Sequence, residues 1–491
     1  MKQTKFKLFG GMLVTAFGFL ALASCSSEEM ISDTPVFQDL VKDGLIVPLE
    51  DGIHKISVKS AGQWSATLPE DCNWAKVLDG EGNGNGEMAV LVDGNFTDME
   101  RVTTLTLNAD GKVSKVQLRQ KESEDGMAAD NGADFLKLAK NKYLGFGCNA
   151  LEYYDDPDHV SLKYKVNSTV NTTVITKLQE ADDFGFYDGL ANSSTLRIDE
   201  YESLKTDTIV NKRDSLGVKL SLEVAYGLFK FGISGKYSGA ETFGEKALQI
   251  KMGANYPSFE ASLGYNDIMT TFDNANDAST SGADVNESRM CRALLAVGFA
   301  KAREELRVLC NAASPDEAAI NGKVQKLIDD YGTGFVSKSN LGAVAAMDLK
   351  VDSTYINETL AVDSARITAD IQAGLFSLKA DVQASYINAS VQHLKHSQHK
   401  VQLIGGSKAM ATNVVKTFEA ADYESDLGQA IADWAKSVVV SDGSDNTAEL
   451  VSVEVAPIWD LFSDQKSIAA IKKYLAGKYP NSRFLKLHGV L

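Results

Sequence analysis

TLAVDSARITADIQAGLFSLKADVQASY, residues 359–386, carries two periods at once. Read as a helix, Ile367, Ile371, Leu375, Leu378 and Val382 recur at helical spacing and make one apolar stripe. Read as a strand, Ile367, Ala369, Ile371, Ala373 and Leu375 alternate with polar residues. After a slip at Phe376–Ser377 the alternation resumes on the other parity at Leu378, Ala380, Val382, Ala384 and Tyr386. Each alternating run is about nine residues, close to the roughly 9–11 that a tilted strand needs to cross a bilayer. Conversion of a helix into a membrane hairpin requires such a double pattern. An ordinary amphipathic helix on a core fits the same residues.

Working outward, LGVKLSLEVAYGLFKFGI at 216–233 shows the same ambiguity. Leu216, Val218, Leu220, Leu222, Val224, Tyr226 and Leu228 alternate, and Phe231 and Ile233 continue after a slip at Leu228–Phe229. Leu216, Leu220, Val224, Leu228 and Phe231 also fit a helical stripe; a half-buried strand fits as well. Between the two stretches, Asn286–Ala313 reads as one long helix. Ser314-Pro315-Asp316-Glu317 opens a second that runs to Asp330, and a strand follows over 335–351.

The 491 residues predict several domains, and a net charge of −17 argues against nucleic acid, whose phosphates would repel it. Met1–Cys25 has a basic start at Lys2, Lys5 and Lys7 and an apolar run from Leu8 to Ala23. Its end, Leu22-Ala23-Ser24-Cys25, resembles a bacterial lipobox, which implies a lipidated Cys25. Glu28 and Glu29 resemble a surface-export signal, so the expected location is the outer membrane, facing outward. Cys291 and Cys310 on one unbroken helix would stand roughly 28 Å apart, beyond disulfide reach. Cys72, Cys148, Cys291 and Cys310 are therefore expected as free thiols.

From Leu40 to Lys121, short apolar runs separated by Asp-Gly turns predict a small Ig-like β-sandwich. Gly62-Gln63-Trp64-Ser65-Ala66, Cys72-Asn73-Trp74, Asn95, Arg101 and Leu118-Arg119-Gln120 resemble the BACON family. That resemblance implies carbohydrate or mucin binding, with Trp64 and Trp74 as possible glycan contacts. A spacer with both tryptophans in its core is the alternative. Residues 122–134 read as a charged linker.

Tyr331-Gly332-Thr333-Gly334-Phe335 after a helix, then Leu341-Gly342-Ala343 in a strand, resembles the signature of the membrane attack complex/perforin (MACPF) family. Gly334 stands where the family has His, and Ala343 where it has a second Gly. The order along the chain supports the resemblance: one double-period segment before the signature helix, one after it, then Gly405-Gly406. ADWAKSVVV, ELVSVEVAP and IWDLF close the pattern between Trp434 and Leu461. The resemblance spans 135–463 and leaves 464–491 as a basic C-terminal helix or tail. It implies an α+β fold with a bent antiparallel central sheet flanked by helical clusters, the sheet hinging at Gly342, Gly405 and Gly406. It also implies insertion of 216–233 and 359–386 into a target membrane by a homo-oligomeric ring or arc. Asp363, Arg366, Asp370, Lys379 and Asp381 would have to face the lumen of such a pore, and Asp363 and Lys379 lie on opposite sides of the slip, so simple alternation does not place both. A non-lytic adhesion or glycan-binding protein on the same scaffold is the second reading.

His393, His396 and His399 are three apart, a spacing that gathers three ligands on neither a helix nor a strand. A low-pH switch and a solvated loop remain as readings of them. No nucleophile–base pair, phosphate loop or metal motif is present, so neither an enzyme nor a cofactor is expected. The basic end, with Ile468, Ile471 and Leu475 in a stripe, fits either a membrane surface or an acidic body.

Overall fold

Short alternating runs and their turns build two facing sheets at the N-terminal end. The strands are β1 (Val36–Phe37), β2 (Leu45–Val47), β3 (Gly52–Lys59), β4 (Gln63–Thr67), β5 (Ala75–Asp79), β6 (Glu81–Asn83), β7 (Gly86–Val92), β8 (Arg101–Ala109) and β9 (Lys112–Gln120). One sheet runs β1-β3-β7-β5 and the other β2-β9-β8-β4-β6. This computed structural model describes residues 36–37, 44–123, 144–155, 162–195, 202–205, 219–220, 237–239, 247–276, 285–352, 355–356, 364–378, 384–420, 423, 427–440 and 446–491. The expected targeting segment with Cys25 lies outside them, as does all of 216–233 except Lys219–Leu220.

Inward-facing Ile56, Val58, Met88, Val90, Leu105, Leu107 and Leu118 fill the sandwich. Trp64 and Trp74 join them at 4% and 8% exposure, and the Trp64 indole donates to Gly84 O. Neither ring offers an open face for a sugar to stack on, so the glycan contacts expected there give way to the core role. The remaining motif residues tie down one end of the sandwich. Asn95 donates to Met99 O and Lys121 O, while Gln120 reaches Pro48 O and Asp93 O.

The larger body follows: β10 (Phe146–Cys148), α1 (Ala150–Asp155), β11 (Tyr164–Ser168), α2 (Thr172–Glu180), β12 (Ala191–Thr195), β13 (Glu202–Lys205), β14 (Lys219–Leu220), β15 (Ser238–Gly239) and β16 (Leu248–Leu263). Next come α3 (Tyr265–Asn276), α4 (Val285–Cys291), α5 (Val297–Asn311), α6 (Glu317–Tyr331), β17 (Gly334–Val351), α7 (Ser364–Ile371), a π-helical turn (Gln372–Phe376), α8 (Ala384–Lys395) and β18 (Ser397–Ile404). The chain ends with α9 (Lys408–Glu419), α10 (Leu427–Lys436), β19 (Glu449–Pro457), a 3-10 turn (Ile458–Leu461), α11 (Gln465–Lys478) and α12 (Arg483–Leu487).

β16 and β17 pair antiparallel from Leu248–Val351 to Ser262–Lys338, with a bulge at Pro257. β12 and β13 flank β16. The other side of β17 takes β19 along its first half and β18 along its second. Strand alternation splits the sheet between two cores. Ala343, Ala345, Met347, Leu349 and Val351 face the cluster formed by α7, α9 and α10, while Val344 and Ala346 face the cluster of α5, α6 and α11.

The long helix expected over Asn286–Ala313 is broken into α4 and α5. At the break Asn171 Nδ2 donates to Ala293 O and Leu295 O, and Ala296 N donates to Thr169 O. Tertiary bonds there outcompete helix propensity, and no Gly or Pro marks the site. The four cysteines are free. The sandwich is mounted firmly on the body. Asp93 accepts from Val297 N and Gly298 N at the start of α5, and Asp51 accepts from Thr173 N at the start of α2. Arg289 pairs with Asp79. The basic α11 buries Ile471 and Leu475 against the acidic body, and Lys473 pairs with Glu317 of α6.

Candidate functional site

The signature turn sits where α6 hands over to β17. Asp316 starts α6 by accepting from Ala318 N and Ala319 N. Tyr331 ends it buried, its ring 5.1 Å from Phe299 and edge-on. Burial drives the Tyr331 hydroxyl well above the ordinary tyrosine range. Gly332 has φ +79°, and a Cβ there would lie 2.2 Å from Cys148 O, so both conformation and space require glycine. Thr333 donates its N–H to Cys148 O, and its hydroxyl accepts from Leu151 N at 3.0 Å, and its carbonyl accepts from Ile458 N. Phe335 is fully buried, edge-on to Tyr265 at 5.5 Å. Gly334 packs against Val455 and Ala150, which leaves no room for the imidazole found at this position in the family.

The three expected hinge glycines come together. A Cβ on Gly405 would fall 2.5 Å from Gly342 O, so these two backbones touch. Trp434 of α10 closes the contact by donating Nε1–H to Gly405 O at 2.9 Å, and Gly406 lies under the same indole.

Within the second double-period segment, residues 364–376 and 384–386 are helical. Ile367, Ile371, Leu375 and Leu378 are buried against Met252, Ala254 and Tyr256 of β16, whose Tyr256 hydroxyl donates to Phe376 O. Tyr386 is 38% exposed at the start of α8, and Val382 lies outside the described residues. The strand reading of 364–378 is therefore not the state seen here. Arg366 and Asp370, expected to face a lumen, instead meet each other, with Nε to Oδ2 at 3.2 Å.

Asp370 is the feature that periodicity passed over. It is buried between α7 and α8, with Oδ2 3.0 Å from His393 Nε2. The other His393 nitrogen is 3.1 Å from the Tyr355 hydroxyl. Its place beside Ile367 and Ile371 on the helical face was the available signal. The histidines do not lie in a solvated loop: His393 and His399 are buried, and His396 stacks on Tyr355 at 4.3 Å. Burial holds His399 below the ordinary imidazole range, opposed by its bonds to Phe418 O and Ser397. Among the described residues no cluster able to hold a metal is found, and no helix is long and apolar enough to cross a membrane.

Of the first segment, Lys219–Leu220 pairs with Glu454 and Val453 of β19. Leu216, Val218, Leu222, Val224, Tyr226, Leu228, Phe231 and Ile233 lie outside the described residues. Just downstream, Tyr237 crosses to the edge beside β18. Its hydroxyl donates to the buried Asp348 at 2.8 Å, and the ammonium groups of Lys350 and Lys400 lie 4.2 and 4.5 Å from its ring centroid. Sequence patterning gave no warning of that contact.

Comparison with solved structures gives GNIP1Aa from Chromobacterium piscinae at 13% identity and TM-score 0.32, covering 61% of this chain and 47% of that one. A protein from Bacteroides thetaiotaomicron described as a cell invasion protein with a MAC/Perforin domain matches at 12% identity and TM-score 0.32, covering 70% of this chain and 61% of that one. Astrotactin-2, a vertebrate perforin-like membrane protein, matches at 11% identity and TM-score 0.27, covering 58% and 82%. The chain thus spans less than two thirds of the length of the first two. No curated protein matches it. The sequence model of the MAC/Perforin domain matches residues 241–482, which takes in the signature turn, the three glycines expected as hinges and the second double-period segment, and in that domain the chain belongs to the MACPF family.

Proposed function

We propose that this MACPF protein is a surface lipoprotein of an outer membrane, that its copies assemble into arcs or rings, and that each inserts β-hairpins into a target membrane. It acts by binding and insertion, without catalysis. One observation carries the reading. α7 and α8 belong to the segment that joins β17 to β18, which are already neighbours in the central sheet and whose ladder runs in unbroken register up to Val351–Ser397. Extending the segment would lengthen an existing ladder rather than build a new one.

The register also fits the pattern of the chain. Continued past Val351–Ser397, it pairs Tyr355 with His393 and turns the chain at Gly374. One bulge, of the kind β16 already carries at Pro257, moves the turn to Ala373–Gly374. Ile367, Ala369, Ile371, Phe376 and Leu378 then share one face, and Arg366, Thr368, Asp370 and Ser377 the other. An apolar face toward lipid and a polar face toward water is what a membrane barrel requires, and only closure with neighbouring copies satisfies its edges.

The test is release of an encapsulated dye from liposomes, paired with imaging of the same membranes. Dye release with arcs or rings supports the proposal. Binding without release on any lipid mixture would favour the adhesion reading instead.

A further inference from the structure

We propose that the Asp370–His393 contact is a lock: it holds the second segment in its helical form and has to break before that segment can extend. The inference deepens the insertion reading above and rests on it.

The lock joins the two helices that would have to separate. Asp370 Oδ2 and His393 Nε2 are 3.0 Å apart, and both side chains are only 4% exposed. Buried Ile367, Ile371, Leu375 and Leu394 belong to the same core. A polar pair in such surroundings is strong while intact and costly to leave half-made. Ser390 of α8 adds a bond to the Asp370 carbonyl at 2.8 Å. Arg366 reaches the same carboxylate oxygen from a largely solvated position, with its side chain 64% exposed, and so contributes little of its own.

The register makes the lock specific to one state. In the extended ladder Tyr355 still faces His393, so that contact survives conversion. Asp370 would lie next to the turn, about 50 Å from His393 at ~3.3 Å per residue. There it alternates with Thr368 and Arg366 on the polar face, where its carboxylate meets water. Tyr355–His393 is thus common to both forms, and Asp370–His393 belongs to the helical form alone.

Hydrogen exchange on the full chain, with dye release measured in parallel, tests this. Asp370→Asn should raise exchange of the α7 and α8 amides about 10–100-fold, with β16 and β17 unchanged. His393→Gln breaks the same contact from the other helix and should agree with it. Arg366→Gln should stay within about 3-fold of the parent. Dye release, where the parent shows it, should start faster in both lock variants. The lock is overturned if both variants exchange like the parent, or if exchange rises equally across the whole sheet. If α7 and α8 open selectively yet neither parent nor variants release dye, the lock stands and the insertion reading falls.

Discussion

β17 is held differently at its two ends. At Gly334 it leaves a turn held largely by main chain: the Thr333 backbone engages Cys148 and Ile458, and its hydroxyl accepts from Leu151 N. At Val351 it runs into helices that touch the sheet mainly through side chains, by an apolar stripe and the Tyr256–Phe376 bond. Backbone bonding at the first end leaves no alternative partner for those groups. Side-chain packing at the second end can be exchanged for ladder bonds or lipid without stranding a buried amide. In the proposed insertion one end stays and the helices at the other are released, although both bury core side chains completely, Phe335 at one and Ile371 at the other. Burial alone does not say which part of a fold moves.

That contrast can be broken in several places. The largest effect is expected at Gly332→Ala, where positive φ and the clash with Cys148 O together should cost about 3–5 kcal/mol. Thermal unfolding should show the whole MACPF domain, α7 and α8 included, melting earlier in a single step. Ile371→Ala should cost about 2–4 kcal/mol through the cavity it leaves. Hydrogen exchange should place that loss in α7 and α8, with β16 and β17 still protected.

A third variant sharpens the fixed side. Burial pushes the Asp93 carboxyl up to about 7, against its two bonds from α5. The folded form therefore holds a proton that the unfolded chain has released, so stability contributed here is full below pH 4 and is lost as pH rises toward 7. Denaturant titrations should show a fall of order 1–3 kcal/mol across that range, absent in Asp93→Asn. The smallest effect is expected from Arg366→Gln, under about 1 kcal/mol, because its partner is reached from solvent.

Much of this was legible in the chain. Ser314-Pro315-Asp316-Glu317 marked the start of α6, although Pro315 lies just before the helix and Asp316 caps it, and Tyr331-Gly332-Thr333 marked its end, because positive φ depends on local chemistry. Gly342 and Gly405 were expected to allow close packing in the central sheet, and their backbones do meet. The helix break at 292–296 was not, because bonds from Asn171, far away in sequence, impose it. Trp64 and Trp74 could be core or platform until the facing sheet was placed over them. The segment 359–386 carries both periods, and a period does not choose between states; packing on β16 chooses the helix. Asp370 stood in the apolar stripe, but its partner His393 lies beyond any local window.

The proposed insertion requires α7 and α8 to change from helices to strands at a membrane. Two cysteines placed at facing positions of α7 and α8 can join them by a disulfide, and dye release from liposomes is then measured before and after reduction. No release is expected while the link is closed, and full release once it is reduced. Equal release in both states would contradict it.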